Sequence, residues 1–309
     1  MNFKLNILVL LILFTAINAN SQKLEKNFNR GYNLLLEEKN EEAEKYLTKA
    51  LEIDNKYSNA YYNRGVARQR MEKYEDAAKD FNWVISFSEI DSLNFRANRN
   101  NSFIYRNIFK KNKLALNYSN SALKFDSTSA GALHLHGLIL HDLEYYENAI
   151  MFFNKSLKVN PNNPDPYYDR AITKRKLERL EDALLDYNKV IELDPKYLKA
   201  YNNRGYVHTL LLNYSEAIND FNMALKIEPD AYGYNNRGFA KLKIGDLKGA
   251  KKDCELSMKL NPKNSWAYHY LGLVYFKMGD DIKGCELLNK SFELGKVEVK
   301  QEIEQKCKK

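Results

Sequence analysis

Cysteine, proline and glycine are all scarce in this chain of 309 residues, which contains 3, 6 and 13 of them respectively. Few prolines and glycines exclude collagen-like and low-complexity sequence and favour helices, because both residues weaken helical structure. A small, odd number of cysteines argues against a disulfide framework. Since 44% of the residues are hydrophobic, the chain has enough apolar material for a core, and long disorder is not expected.

The three cysteines are Cys254, Cys285 and Cys307. The first two fall within predicted helices, where cysteine usually serves as a small apolar filler. We therefore expect them to be packing residues. A bridge between Cys254 and Cys285 is the alternative.

A concentrated patch of one charge is also missing. The formal net charge is +8, but acidic and basic residues are well mixed along the chain. Part of the excess comes from the tail between Lys296 and Lys309, which carries five Lys against three Glu. Because no compact Lys/Arg stripe remains in the body, we expect no nucleic-acid partner.

Motifs of known chemistry are absent as well. The sequence contains no glycine-rich phosphate loop, no GxSxG elbow and no HExxH zinc motif. The segment "HLHGLILHD" alone resembles a metal site, but on a helix His134 and His141 would lie about 10 Å apart and His136 would point elsewhere. One helix cannot bring three such rings to one zinc ion. We therefore predict no metal, no cofactor and no enzymatic activity.

The one long apolar run lies at the N-terminus. Ile7–Phe14 is uninterrupted apolar sequence, preceded by Lys4 and followed by small or polar residues. This order is typical of a secretory signal peptide over residues 1–21, with Ala19 and Ser21 before the cleavage point. The run is too short to span a bilayer, so we predict an exported mature chain, periplasmic or extracellular, without a membrane span. An uncleaved anchor or a buried strand is the alternative.

The rest of the chain repeats itself. An alanine follows an acidic or polar pair at intervals of 34, 38, 34, 34, 34 and 33 residues, and a glycine takes its place after 34 more. A period of 34 residues indicates a helix–turn–helix unit. Prolines close several units, because proline ends the second helix. The alanines and the glycine are Ala43, Ala77, Ala115, Ala149, Ala183, Ala217, Ala250 and Gly284.

These units resemble the tetratricopeptide repeat (TPR) family. Its pattern has an aromatic residue at position 4, small residues at 8 and 27, Ala at 20, an aromatic at 24 and Pro at 32. One unit matches throughout, with Tyr201, Gly205, Ala217, Phe221, Ala224 and Pro229. The resemblance implies an all-α, right-handed superhelical solenoid within residues 22–298. We place its eight repeats at residues 24–57, 58–91, 96–129, 130–163, 164–197, 198–231, 231–264 and 265–298.

Three departures from the pattern predict local differences. Four residues, Ser92–Phe95, are inserted before the third repeat, and Phe103 stands where a small residue is expected. We therefore expect looser helix packing there, with a kink or hinge. The junction between repeats six and seven is one residue short. In the tail, residues 299–309, the recurrence of Val299, Ile303 and Cys307 predicts a helix that caps the last repeat, and a frayed tail is the alternative.

Arginine at position 7 and aspartate at position 23 occur together. Every repeat with the aspartate also has the arginine, and pairing within a repeat explains this better than pairing between repeats. Since a guanidinium matches a carboxylate in shape, we predict structural ion pairs that set the register of two helices, with arginine contacts to a ligand as the alternative. We expect His136 to fill the arginine site of its repeat. The pairs are Arg64–Asp80, Arg170–Asp186, Arg204–Asp220 and Arg237–Asp253.

Positions 5 and 6 are rich in Asn, Tyr and His. The resemblance implies that the first helices line a concave surface, which positions 2, 5, 6, 9, 12 and 13 face. Asparagine both donates and accepts hydrogen bonds, and tyrosine adds an amphipathic contact, so we predict a groove that holds an extended peptide. Its residues would be Asn29, Tyr62, Asn63, Asn100, Asn101, His134, Tyr168, Asp169, Asn202, Asn203, Asn235, Asn236 and His269.

The predicted function is a non-enzymatic scaffold that binds a protein or peptide. Three alternatives stay open: an assembly factor of an envelope complex that uses the convex face, an enzyme, and a carbohydrate-binding module. A further alternative is that the asparagines only bond to neighbouring backbone or water. No repeat has Lys at position 5, so the resemblance does not extend to the family members that clamp chaperone tails.

Overall fold

The computed structural model describes the backbone of residues 2–307 and the side chains of residues 18–307. The side chains of the apolar run, on which the predicted signal peptide depends, lie outside that part. No helix in the described part is long and apolar enough to cross a membrane.

All regular structure within residues 2–307 is helical. Seventeen α-helices follow one another, and a 3₁₀ turn at Val297–Val299 precedes the last. They are α1 Asn2–Leu36, α2 Asn40–Ile53, α3 Ser58–Arg70, α4 Tyr74–Phe87, α5 Asp91–Asn107, α6 Asn112–Phe125, α7 Ala130–Asp142, α8 Tyr146–Val159, α9 Pro164–Lys176, α10 Leu180–Leu193, α11 Leu198–Leu210, α12 Tyr214–Ile227, α13 Ala231–Lys243, α14 Leu247–Leu260, α15 Ser265–Lys277, α16 Asp281–Glu293 and α17 Lys300–Lys306.

The chain divides into two compact units, Met1–Asn160 and Pro161–Lys309. In each unit the helices form pairs, with a first (A) helix followed by a second (B) helix. Within the first unit α1 contacts α3, α3 contacts α5 and α5 contacts α7; within the second unit α9 contacts α11, α11 contacts α13 and α13 contacts α15. Since neighbouring A helices lie close together in each unit, they line its inner side.

In each pair the A helix is followed by a residue whose backbone has a positive φ, the left-handed conformation. It lies two residues before the B helix and five residues before the anchoring alanine or glycine. The turn is closed by a backbone bond from the residue after it, as from Lys73 N to Arg68 O at 2.9 Å, which satisfies a carbonyl that the helix leaves free. These residues are Glu38, Glu72, Lys110, Glu144, Glu178, Leu212, Gly245 and Gly279.

Close packing within a pair depends on the small residue at position 8. A β-carbon at Gly65 would lie 2.7 Å from the Phe81 ring, and one at Gly205 would lie 2.9 Å from the Phe221 ring. Both rings are fully buried or nearly so, at 0% and 1% exposed. The glycine on the A helix therefore receives the aromatic ring of the B helix, as the repeat pattern predicts.

The four inserted residues lengthen a helix and do not form a hinge. Helix α5 has 17 residues, whereas α3 and α7 have 13. The turn after α5 is one residue longer, with Lys111 N donating to Tyr105 O at 2.8 Å. One extra residue rotates a helix by about 100°. Ser102 therefore takes the small-residue site and is 0% exposed, while Phe103 is 43% exposed. The prediction of Phe103 in the packing site was wrong.

The chain after α16 turns back and packs against the end of the second unit. Val299 is fully buried there, and α17 follows. A disulfide joins Cys285 on α16 to Cys307, so the prediction of Cys285 as a filler was wrong, as was the Cys254–Cys285 alternative. Cys254 is a free, buried thiol, and burial raises its pKa to about 12. The residue spacing within α16 did not indicate this bridge, because the partner of Cys285 lies in the tail.

Candidate functional site: the inner faces of the two units

All four predicted arginine–aspartate pairs form within their own repeats. In each pair Nε and Nη2 of the guanidinium donate to the two carboxylate oxygens at 2.5–3.0 Å. The aspartate side chains are only 1–5% exposed. Two parallel charge-assisted bonds demand a specific geometry, so the pairs hold the A and B helices in register. They are Arg64–Asp80, Arg170–Asp186, Arg204–Asp220 and Arg237–Asp253.

A second basic residue, which was not predicted from the sequence, contacts each of these aspartates. It stands four residues after the arginine, on the same face of the A helix. Three of these contacts measure 2.8 Å, and a histidine lies at 4.0 Å in the fourth. The spacing of four residues was the available signal. These residues are Arg68, Lys174, His208 and Lys241.

The arginines are also engaged on their remaining sides. Each guanidinium lies 5.2–5.7 Å from the ring centroid of the position-4 tyrosine. In three repeats Nη1 reaches the preceding B helix: Arg64 donates to Thr48 Oγ1 at 3.3 Å, Arg204 to Asn188 Oδ1 at 2.7 Å and Arg237 to Asn222 Oδ1 at 2.8 Å. The arginine thus ties its own repeat to the one before it, which supports the structural interpretation.

His136 fills the arginine site of the fourth repeat, as expected. Its Nδ1 lies 2.5 Å from Ser119 Oγ on α6, and its ring packs 4.1 Å from that of Phe152 on α8. Burial lowers the pKa of His136 to about 4, with a smaller contribution from Lys155. Within residues 2–307 no three His, Cys, Asp or Glu side chains are placed to hold a metal ion.

Several predicted groove residues are bonded inside the protein. Asn63 is 8% exposed and donates to Asn59 O at 2.7 Å. Asn101 is 0% exposed and donates to Asn82 Oδ1 at 2.8 Å, because the rotation of α5 moves it to the arginine site. Both amides thus donate to groups within the protein. For these two positions the structure favours the alternative of bonding within the protein.

The other predicted residues differ in exposure and bonding. Asn203 donates to Tyr168 Oη at 3.0 Å and to Lys199 O at 2.9 Å, so its amide is engaged on one side. Tyr62 is half-buried, with its ring 5.8 Å from that of Phe81. Asn29 is exposed, and Asp169 and Asn202 are half-buried. The remaining residues line two grooves or adjoin them: Asn100, His134, Asn235, Asn236 and His269.

The first unit has a groove of about 410 Å³ along α3, α5 and α7. We call it the N-terminal groove. Its residues stand at repeat positions 2, 5, 6, 9 and 12, where the positions in α5 are shifted by one residue because of its rotation. The lining is mostly polar and aliphatic, with one aromatic ring from Phe103 and one imidazole. It consists of Gln69, Arg99, Asn100, Phe103, Gly131, His134, Leu135 and Leu138.

The second unit has a groove of about 520 Å³ along α11, α13 and α15. We call it the C-terminal groove. Most of its lining again stands at positions 2, 5, 6, 9, 12 and 13, but here six rings dominate. The candidate residues predicted from the sequence came only from positions 5 and 6 and did not include these rings. The lining is Tyr206, Thr209, Leu210, Leu212, Tyr214, Tyr232, Asn235, Asn236, Phe239, Lys243, Trp266 and Tyr270.

Exposed rings and less exposed amides give the C-terminal groove its chemistry. Tyr232 is 64% exposed, Trp266 45% and Tyr206 41%, although large apolar side chains are usually buried. Asn235 Oδ1 is buried and has no donor among the described residues. An unpaired buried acceptor is costly, so this oxygen is ready to accept a hydrogen bond from a bound molecule. Lys243 is the one charged residue of the lining.

Residues 296–307, which we call the C-terminal segment, border this groove. Glu302 Oε1 lies 3.0 Å from His269 Nε2, and His269 is 8% exposed. Burial lowers the pKa of His269, while Glu302 raises it in part. The Lys296 ammonium lies 3.0 Å from the centroid of the Trp266 ring. His269 therefore contacts the C-terminal segment, so a residue that was predicted to bind a partner is engaged within the protein.

Four profiles of one family match the sequence. Three are described as tetratricopeptide repeat and one as TPR repeat, and together they match residues 27–57, 130–163, 152–184, 173–211, 198–230 and 231–264. The chain belongs to the tetratricopeptide repeat family. The observed pairs of helices, the small residue at position 8 and the aromatic residue at 24 are the TPR pattern in structural form. No curated protein matches this TPR chain significantly.

Solved TPR structures share the fold. A TPR protein from Parabacteroides merdae is 21% identical, with a TM-score of 0.60 over 82% of this chain and 99% of its own. The C-terminal part of a TPR protein from Cytophaga hutchinsonii is 16% identical, with a TM-score of 0.65 over 79% and 99%. The Cut9–Hcn1 hetero-tetramer of the APC/C matches at 16% identity and a TM-score of 0.57, over 83% and 50%. At these identities the likeness concerns the fold alone.

Proposed function

We propose that this TPR protein binds an extended segment of a partner protein in the C-terminal groove. The TPR architecture makes the chain a protein–protein interaction scaffold, and the solved Cut9–Hcn1 assembly is a relative in which a TPR fold occurs in a complex. The observation that carries the proposal is the row of exposed rings along α11, α13 and α15. Contiguous exposed apolar surface rimmed by polar groups is typical of interaction sites.

An extended chain fits the groove for two reasons. Rings at successive A helices offer several separate apolar contacts along one direction, which suits a segment with side chains at intervals. The amides of Asn235 and Asn236 stand among these rings and can address the backbone of a bound segment through both donors and acceptors. This combination of rings and amides suits the binding of a backbone with a few apolar side chains, and it requires no chemical reaction.

The charge of the lining narrows the partner further. Lys243 is exposed and lies 5.2 Å from the Phe239 ring centroid. No described carboxylate belongs to the groove lining. We infer that the bound segment carries apolar or aromatic side chains together with an acidic side chain or a terminal carboxylate, because opposite charges across an interface favour association.

We also propose that the chain is exported and works outside the cytoplasm. Support comes from the order of residues 1–21 and from the Cys285–Cys307 disulfide, since structural disulfides persist in oxidising compartments. Cell fractionation with N-terminal sequencing tests this proposal. We expect the protein in the envelope or the medium, beginning at Gln22; a cytoplasmic protein that begins at Met1 contradicts it.

Site-directed photocrosslinking tests the groove. A photoreactive phenylalanine analogue replaces Phe239 in the groove or, as a matched control, Met223 on α12, which is 41% exposed on a B helix. We expect crosslinks from position 239 that map by mass spectrometry to one contiguous partner segment. A synthetic peptide of that segment should bind, and Phe239→Ala should weaken it about tenfold, as expected for one well-packed ring. Crosslinks mainly from position 223 instead favour the convex face.

A further inference from the structure

The C-terminal segment, residues 296–307, is attached to the last repeat at both ends. At one end Lys296 is 6% exposed and Val299 is fully buried. At the other end Cys307 is bonded to Cys285 on α16, across a sequence separation of 22 residues. Between them α17 has only seven residues, and a helix of this length is not stable alone in water. The segment therefore depends on these attachments for its position.

The segment also touches the wall of the C-terminal groove. Lys296 places its ammonium 3.0 Å from the centroid of the Trp266 ring, and a cation at the face of an indole is attracted by the ring quadrupole. Glu302 contacts His269 at 3.0 Å. The His269 ring in turn lies 6.2 Å from the ring of Trp266 and 5.3 Å from that of Tyr270. Residues 296–307 thus contact Trp266 directly and reach Tyr270 through His269.

We propose that the disulfide-tethered C-terminal segment is the positioning element of the C-terminal groove, with Lys296 as the residue that orients Trp266. The inference rests on the proposed function, because it assigns the segment a part in partner binding. The tether keeps Lys296 against one face of the indole and leaves the other side of the ring to the groove. A ring that is held in place loses less conformational freedom when a partner binds.

Opening the tether should release the ring. A dithiol reductant exchanges with the Cys285–Cys307 disulfide and gives up two electrons and two protons to it, so that two cysteine thiols form and the reductant is itself oxidised to a disulfide. Without the bond the segment is held by the buried Lys296 and Val299 and by the contact of Glu302 with His269, and short terminal segments fray. Lys296 then leaves the indole, and Trp266 becomes more accessible to solvent.

Tryptophan quenching tests this without any ligand, because the chain has two tryptophans. In Trp83→Phe the emission comes from Trp266 alone. We expect acrylamide quenching of Trp266 to rise about twofold on reduction, as a ring freed from its cover becomes accessible. In Trp266→Phe, the matched control, emission comes from Trp83 in the first unit and should not respond to reduction. Equal quenching of Trp266 in the oxidised and reduced protein overturns the proposal.

Two further variants separate the tether from the orienting residue. Cys285→Ser with Cys307→Ser should reproduce the reduced protein under all conditions. Lys296→Met keeps most of the aliphatic stem and the disulfide but removes the charge, so Trp266 quenching should rise in the oxidised protein. Unchanged quenching in Lys296→Met overturns the role of Lys296, even if the double serine variant unfolds.

Partner binding is measured separately, with the synthetic peptide that crosslinking identifies. We expect reduction to weaken this peptide three- to tenfold, or roughly 1 kcal/mol by the affinity relation. Equal affinity in both redox states overturns the proposed role in binding. If Trp266 responds to reduction but no peptide binds the groove, the positioning of Trp266 stands and the proposed function fails.

Discussion

The two units of the chain build the same repeat with different regularity. In the second unit three of four repeats carry the arginine–aspartate pair, and helices α9, α11, α13 and α15 all have 13 residues. In the first unit only the second repeat has the pair. The third repeat has the lengthened α5, and the fourth places His136 at the arginine site.

This comparison separates what the repeat requires from what it tolerates. The left-handed turn residue and the small residue against the B helix occur in regular and irregular repeats alike. The ion pair can be replaced by a neutral contact such as that of His136 with Phe152. Turn geometry and close packing therefore define the unit, whereas the ion pair adds register where it is present. The grooves differ in the same way, with equivalent positions lined by different chemistry.

The largest expected effect is the loss of an ion pair in the regular unit. Asp220→Ala leaves Arg204 without its carboxylate in a nearly buried site, and we expect a loss of about 3 kcal/mol in the free energy of unfolding. Asp182→Ala is the control, because its exposed pair with Arg179 should contribute less than about 1 kcal/mol. Denaturant unfolding measures both. A cycle that adds Arg204→Ala should show coupling; additive losses contradict the pairing.

The second effect is a pH dependence that His136 contributes in the irregular unit. His136 is neutral when folded because burial lowers its pKa from 6.5 to about 4. Between these values the unfolded chain binds the proton and the folded chain does not, so stability is lost as the pH falls from about 6.5 towards 4. We expect a loss of about 3 kcal/mol from this group.

A variant isolates the contribution of His136 from that of the carboxyl groups. His136→Gln can still bond to Ser119 but carries no titrating ring, so the difference between the two stability–pH curves reports His136 alone. Hydrogen exchange at α6–α8 should show the change, and α11–α13 should not. Parallel curves for both proteins would mean that the histidine is not buried in its neutral form.

A smaller effect tests the rotation of α5. Ser102→Val adds bulk where α5 packs against α6, and we expect a loss of about 1–2 kcal/mol. Phe103→Ala removes an exposed ring and should change stability by less than about 1 kcal/mol. Thermal unfolding of the two variants gives the comparison. If Phe103→Ala proves the more damaging, the ring is in the packing site that the 34-residue pattern first indicated.

Much of this fold was predictable because the repeat is encoded locally. The 34-residue period, the small residue at position 8 and the pairs such as Arg204–Asp220 follow from residue types at fixed spacing. The rotation of α5 was not predictable, because it depends on where four extra residues are absorbed between two turns. The Cys285–Cys307 bond also escaped, since it requires the tail to fold back against α16.

The candidate site was predicted less well than the fold. Positions 5 and 6 were chosen for hydrogen bonding, yet Asn63 and Asn101 are bonded within the protein. The larger signal lay in rings at positions 2 and 9, such as Tyr232 and Phe239. A tyrosine at position 4 packs inside the repeat and one at position 2 faces the groove, so composition alone did not distinguish them.

The smallest expected effect distinguishes the two grooves by charge. Lys243 lines the C-terminal groove and Arg99 lines the N-terminal groove. If the partner segment with its acidic group binds only in the C-terminal groove, Lys243→Gln should weaken its affinity about threefold, which is the size expected for an exposed charge contact. Arg99→Gln should leave the affinity unchanged. Calorimetry at two salt concentrations sharpens the test, because added salt screens exposed charges. The wild-type affinity should fall with salt more steeply than that of Lys243→Gln. An equal loss from Arg99→Gln would show that the partner contacts both grooves, and the chemical contrast between the units would then not select the binding site.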